Sequence, residues 1–165
     1  MKKTSFTIVS ICLFVIASAA QNAETGFLKK IEGAWTGKGT AMGAASSVTM
    51  EWEPALGNQF YKISHKMIMN FKGKEEVFEG MGLYKPLKEG GYEGTWFDSG
   101  GEMHPIKSSD DGKILTSYWG KQGEKYGKTE YEFIDEKTLE VRDAIQDKDG
   151  SWKQFAKNTL LRKSN

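Results

Sequence analysis

The chain has 165 residues, with 23 basic and 22 acidic side chains and a net charge of +1. That length suits one domain, and near-neutrality removes any global electrostatic case for nucleic acid or an anionic membrane surface. There is a single cysteine, Cys12, so no disulfide framework exists and stability must come from a buried core.

The first twenty residues read as a secretory leader. Lys2 and Lys3 give a charged start, Phe6 to Ile16 an apolar run, and Ala17-Ser18-Ala19 a small-residue cleavage site. The run is too short to span a membrane as a helix, which needs ~20 residues. Ile11 before Cys12, and the apolar residues after it, argue against a lipoprotein site. The expectation is export to the periplasm or the extracellular space, with residues 21–165 as one domain.

Glu24 to Ile31 is the one stretch that suits a short helix, with Phe27, Leu28 and Ile31 on one side. From there the dominant period is two. "IEGAWTGKGT" (31–40) alternates Gly33, Trp35, Gly37 and Gly39 on one face. Glycine in a strand removes bulk where another backbone must approach, and Trp35 would plug the end of a closed structure. "SVTMEWEP" puts Val48, Met50 and Trp52 on one face. "FYKISHKMIM" does the same with Tyr61, Ile63, His65, Met67 and Met69. Later, Tyr131 and Phe133 oppose Glu130 and Glu132, and Leu139, Val141 and Ile145 oppose Glu140 and Arg142. This alternation is the mark of half-buried antiparallel strands.

Turn chemistry separates the runs: Leu56-Gly57-Asn58, Lys72-Gly73-Lys74, Glu89-Gly90-Gly91, Ser99-Gly100-Gly101, Asp111-Gly112 and Asp149-Gly150. The spacing predicts an all-β antiparallel meander of about 8–10 short-looped strands. Such a meander hides its edges by closing into a barrel, wide enough for side chains plus one small ligand. A sandwich would need longer crossovers. Near the C-terminus Arg162 is positioned to stack on Trp35, an interaction of ~1–2 kcal/mol when partly desolvated.

Gly33 and Trp35 at the start, with Arg162 at the end, resemble the structural signature of calycin-type barrels, the lipocalins and their relatives. The segments "EGAWTGKGT", "EPALGNQFYKISH", "FEGMGLYKP", "GYEGTWFDSGGEM", "DDGKILTSYW" and "DGSWKQFAKNTLLRK" look like a bacterial family of secreted lipocalin-like domains of unknown function. The resemblance runs from Phe27 to Lys163 and implies the barrel fold. A more distant similarity, through Gly33, Trp35, Gly37 and Gly39, is to nitrobindin-like haem barrels. That resemblance implies haem held by a histidine of a late strand, yet residues 105–165 contain none.

Three apparent motifs fail on spacing. "FDSGG" has Phe97 where a nucleophile loop needs glycine, "GEKYGKTE" is one residue short of a phosphate loop, and "DKDGSW" puts Ile145 and Ala156 at ligand positions of a calcium loop. Each reads as a turn. Neither His65 nor His104 sits in a cluster with metal spacing, so no metal site is expected. His65 shares the inward phase of Tyr61, Ile63 and Met67, whereas His104, beside Pro105, is expected at the rim. Asp98, Asp143, Gln154 and Asn158 also fall on the inward phase. Buried polar groups of this kind either pair or line a wet cavity.

The aromatic residues Trp35, Trp52, Trp96, Trp119, Trp152, Tyr61, Tyr92 and Tyr131 are expected as barrel filling, with Trp96 and Trp119 near the mouth. Met50, Met67, Met69, Met81 and Met103 would soften a cavity wall. The expected function is an exported barrel holding a small apolar or amphipathic molecule in its interior, without a catalytic constellation and without a required cofactor. The expected lining is Trp52, Tyr61, Ile63, His65, Met67, Trp96, Asp98, Tyr131 and Asn158. Three alternatives stand beside it. One is an enzyme pairing His65 with Asp98 or Asp143, another a haem-binding barrel. The third is a filled barrel that binds an envelope partner through loops 84–91 and 120–127, which carry Lys85, Lys88, Lys121, Lys125 and, at the edge, Lys128.

Overall fold

Each alternating run becomes a strand, and each glycine-bearing break between runs becomes a hairpin turn. The computed structural model describes residues 26–164, so the leader expected over 1–20 lies outside the described residues. A short helix α1 (Phe27–Ile31) precedes ten strands: β1 (Gly33–Ala41), β2 (Ala44–Ala55), β3 (Phe60–Phe71), β4 (Lys74–Pro86), β5 (Tyr92–Asp98), β6 (Met103–Asp110), β7 (Ile114–Gly120), β8 (Tyr126–Phe133), β9 (Thr138–Gln146) and β10 (Trp152–Arg162). Consecutive strands pair in an antiparallel meander, and β10 closes on β1 to complete the barrel. Closure leaves no unpaired sheet edge. Among the described residues no helix is long and apolar enough to cross a membrane.

The closing seam explains the glycines of the first strand. On β1 the inward positions are Trp35, Gly37, Gly39 and Ala41, with Trp35 opposite Arg162 and Ala41 opposite Ala156. A side chain at Gly37 would overlap the Thr159 carbonyl, and one at Gly39 the Lys157 carbonyl. The seam therefore requires bare backbone at both positions.

One end of the barrel is plugged. Phe27, Leu28 and Ile31 of α1 are buried under the hairpin turns and join Trp35, Ile63, Leu115, Leu139 and Leu160 in one core. The Phe27 and Phe133 rings lie 4.9 Å apart. Trp35 donates its indole N–H to the Ile31 carbonyl at 2.8 Å, tying the helix to β1. The Arg162 guanidinium stacks 4.2 Å over the Trp35 ring. It also donates to the carbonyls of Lys30 at 2.6 Å and of Glu136 at 3.3 Å, and to that of Glu32. Gly33, Trp35 and Arg162 thus form a working lock at the closed end.

The outer wall of β8–β10 carries an ion ladder. Arg142 contacts Glu130 at 3.1 Å, Glu132 at 2.8 Å and Glu140 at 2.6 Å, and Lys113, Lys128 and Lys157 flank the same carboxylates.

Three expectations about which side chains point inward are corrected. Gln154 is exposed, because a bulge between Gln154 and Ala156 shifts the phase of β10 and turns Phe155 toward the core instead. Met81 and Met103 lie on the solvent face, since Gly80 and Gly82 hold the inward phase of β4 and His104 that of β6. Trp152 packs on the outside, with Tyr118, Tyr126 and the Lys128 ammonium.

Candidate functional site

The end opposite α1, ringed by the β1–β2, β3–β4, β5–β6, β7–β8 and β9–β10 turns, is built differently. Several of its inward residues are only half-buried: His65, Met69, Phe78, Trp96, His104, Trp119 and Ile145. Below them lie Trp52, Tyr84 and Tyr131, all buried. The Trp52 ring lies 5.1 Å from Tyr84 and 5.5 Å, edge-on, from Tyr131.

Two indoles lie flat on the wall because glycines let them. A side chain at Gly80 would occupy the space of the Trp96 ring, and one at Gly127 that of Trp119. Each indole covers a glycine of a neighbouring strand. The pattern Gly80-x-Gly82 in β4, followed by Trp96 in β5, is the sequence signal for this device.

Polar groups line the same space. Trp119 donates to the Thr129 hydroxyl at 3.3 Å, and Thr129 donates to Asp143 Oδ1 at 2.7 Å. Tyr84 and Ser108 both donate to Ser117, at 3.3 Å and 2.9 Å. Ser46 donates to Asn158 Oδ1 at 2.7 Å. Burial pushes the Asp143 carboxyl up to about 6, because a charge far from water is disfavoured. The same cause raises Tyr84 to about 12, raises Tyr131, and lowers His65 to about 4, so that imidazole is neutral at physiological pH.

His65 stands between Phe78 and Trp96, with ring centroids at 6.2 Å and 6.1 Å. Its Nδ1 is buried without a hydrogen-bond partner, as is Trp52 Nε1. Buried polar atoms in native proteins are nearly always paired, so two orphans in one lumen mark unmet bonding capacity.

At the lip, Asp98, Glu102 and His104 bring ligand atoms within 4.8 Å of one another. Their capacity is already used. His104 Nε2 bonds Glu102 at 2.9 Å, Lys125 pairs with the same carboxylate, and Asp98 Oδ1 accepts the Gly100 and Glu102 amides at 2.9 Å and 3.2 Å. Lys125 and His104 together hold the Glu102 carboxyl below the usual range.

Of the expected lining residues, the fold gathers His65, Met67 and Trp96 in the open half, over Trp52 and Tyr131. Asn158 faces in but is bonded to Ser46. Asp98 sits at the lip and caps its own turn. Ile63 packs in the closed half, and Tyr61 sits at the closed end beside Glu32. Phe78, Tyr84, Ser117 and Thr129 were not singled out by sequence reasoning. Phe78 falls where β4 runs past the barrel body as a charged extension, "KEEVFE", which masks its phase.

The late histidine implied by the haem-barrel resemblance has no counterpart, for β9 and β10 present Asp143 and Asn158 inward. The donor set does not fit haem ligation from a late strand. No hydrogen bond joins His65 to Asp98 or Asp143 among the described residues. Of the five loop lysines, Lys85, Lys121, Lys125 and Lys128 are each paired with a glutamate.

No family model and no curated protein matches the sequence. Solved structures do resemble the fold. The crystal structure of Rv2717c from M. tuberculosis aligns over 91% of this chain and 100% of that one, with a TM-score of 0.60 and 14% identity. The S-type phycobiliprotein lyase CPES from Guillardia theta aligns over 91% of this chain and 99% of that one, with a TM-score of 0.55 and 9% identity. At these identities the similarity is one of calycin-like barrel architecture.

Proposed function

We propose that this calycin-like barrel is a carrier or receptor for a small apolar or amphipathic molecule, taken up through the open end. One observation carries the reading. The closed half is packed with apolar side chains, whereas the open half holds half-buried aromatic rings around His65, whose Nδ1 has no partner. An apolar wall with a few orienting polar groups is the usual make-up of a small-molecule site. The two indoles laid on Gly80 and Gly127 serve the same end, since each lies against the wall where a glycine leaves room for it. The leader pattern over 1–20 adds export to the reading.

The test is native mass spectrometry of protein purified without detergent, followed by tryptophan-fluorescence titration of the delipidated protein with a fatty acid, a sterol, a porphyrin and a neutral naphthalene probe. The expected result is a retained adduct, or saturable quenching by at least one probe as Trp96 and Trp119 are covered. A bare mass together with no saturable response to any probe would overturn the reading. A haem adduct would redirect it to a haem barrel with a different ligand set.

A further inference from the structure

The charge pattern of the lumen selects among ligands. Asp143 is enclosed on the inner face of the barrel wall. Its one hydrogen bond is from Thr129, and among the described residues no cation pairs with it. Lys74 and Lys125, at the mouth, are exposed and paired with Glu76 and Glu102. Lys128 and Arg142 point outward, into the ladder on the outer wall. Arg162 is spent at the closed end on Trp35 and three backbone carbonyls. Of the remaining titratable groups facing inward, Tyr84, Tyr131 and the neutral His65 supply no positive charge, and His104 at the lip is bonded to Glu102. A carboxylate inside a protein is costly unless a cation or further hydrogen bonds compensate it. The lumen supplies one hydrogen bond and no cation. Trp119 is linked to it through Thr129, Trp96 packs on the same inner wall, and indole faces attract cations.

We propose that the ligand carries a protonated amine, seated on Asp143 and flanked by the two indoles, with its apolar body against Trp52, Phe78 and Met67. This rests on the small-molecule reading above and narrows it to cationic amphiphiles or aromatic amines. The proposal involves no covalent step: the ammonium N–H groups donate to the free lone pairs of the Asp143 carboxylate.

The experiment is calorimetric titration at pH 8 with three probes of one shape: 1-naphthylmethylamine, 1-naphthalenemethanol and 1-naphthoic acid. The expected order is amine, then alcohol, then acid, with the amine bound about tenfold tighter than the alcohol, the factor expected of one charge-assisted hydrogen bond. In Asp143→Asn the amine should fall to within about threefold of the alcohol. Equal binding of all three, or tighter binding of the acid, overturns the amine assignment and leaves the small-molecule reading standing. An Asp143→Asn protein that keeps the amine preference also overturns it. Failure of all three probes to bind also overturns the amine assignment, while the small-molecule reading stands or falls by the adduct and quenching test above. The wild-type series is decisive on its own if the variant does not fold.

Discussion

Burial moves two lumen residues in opposite directions, His65 down from 6.5 to about 4 and Asp143 up from 3.8 to about 6. The consequences for stability are opposed. Asp143 holds its proton more tightly when folded, so its contribution is full below about pH 4 and is lost as pH rises through about 6. His65 holds its proton less tightly when folded, so its contribution is full above 6.5 and is lost as pH falls toward 4. Each shift is worth on the order of 3 kcal/mol, and the two slopes nearly cancel between pH 4 and 6.5. Removing one unmasks the other. Urea unfolding of Asp143→Asn should show stability rising with pH across that window, and His65→Gln should show it falling. Parallel profiles for both variants and the wild type would contradict the burial of these groups.

At the scale of the element, α1 is far too short to be helical alone in water, where isolated helices need about 12–15 residues. Packing holds it. Phe27, Leu28 and Ile31 are buried in the plugged end, and the Trp35 indole hydrogen-bonds the Ile31 carbonyl. Ile31→Ala should therefore cost about 2–4 kcal/mol in urea unfolding, by lost burial plus a cavity. Probe binding at the opposite end should be unchanged. A cost under about 0.5 kcal/mol would mean that the helix is peripheral to the core. Strand β10 carries the other lesson at this scale. Strict alternation puts Gln154 inside, but the bulge beside it resets the phase, and a bulge leaves no reliable mark in a single sequence.

At the scale of the whole molecule, the barrel depends on one seam between residues far apart in the chain. β1 and β10 meet over Trp35 to Ala41, with glycine where the backbones crowd. Gly37→Ala would push a methyl into the Thr159 carbonyl, which as backbone cannot rotate away. The expected cost is about 2 kcal/mol or more, read as a lower urea midpoint. An unchanged midpoint would show that the seam can shift to accept a side chain. Closure also gives every strand of the barrel a hydrogen-bonded neighbour on each side.

The local content of the sequence determined the architecture. A two-residue period fixes which side chains share a face, and glycine-bearing turns fix where the chain reverses, so the strands from Val48 to Ile145, the short helix and the Gly33–Trp35–Arg162 lock were all legible before any contact was known. The site was legible only in part. His65, Trp96 and Tyr131 could be assigned to the inner face, but not to a depth. Only the tertiary structure decided that Tyr61 and Ile63 belong to the plugged end and His65 to the open one. It alone decided that Asp98 caps a turn while Asp143 stays unpaired inside. The physical reason is that face is set by neighbours one residue away, whereas depth and pairing are set by the stagger of ten strands around a closed ring. Whether a buried carboxylate has a partner depends on groups that the sequence places dozens of residues apart.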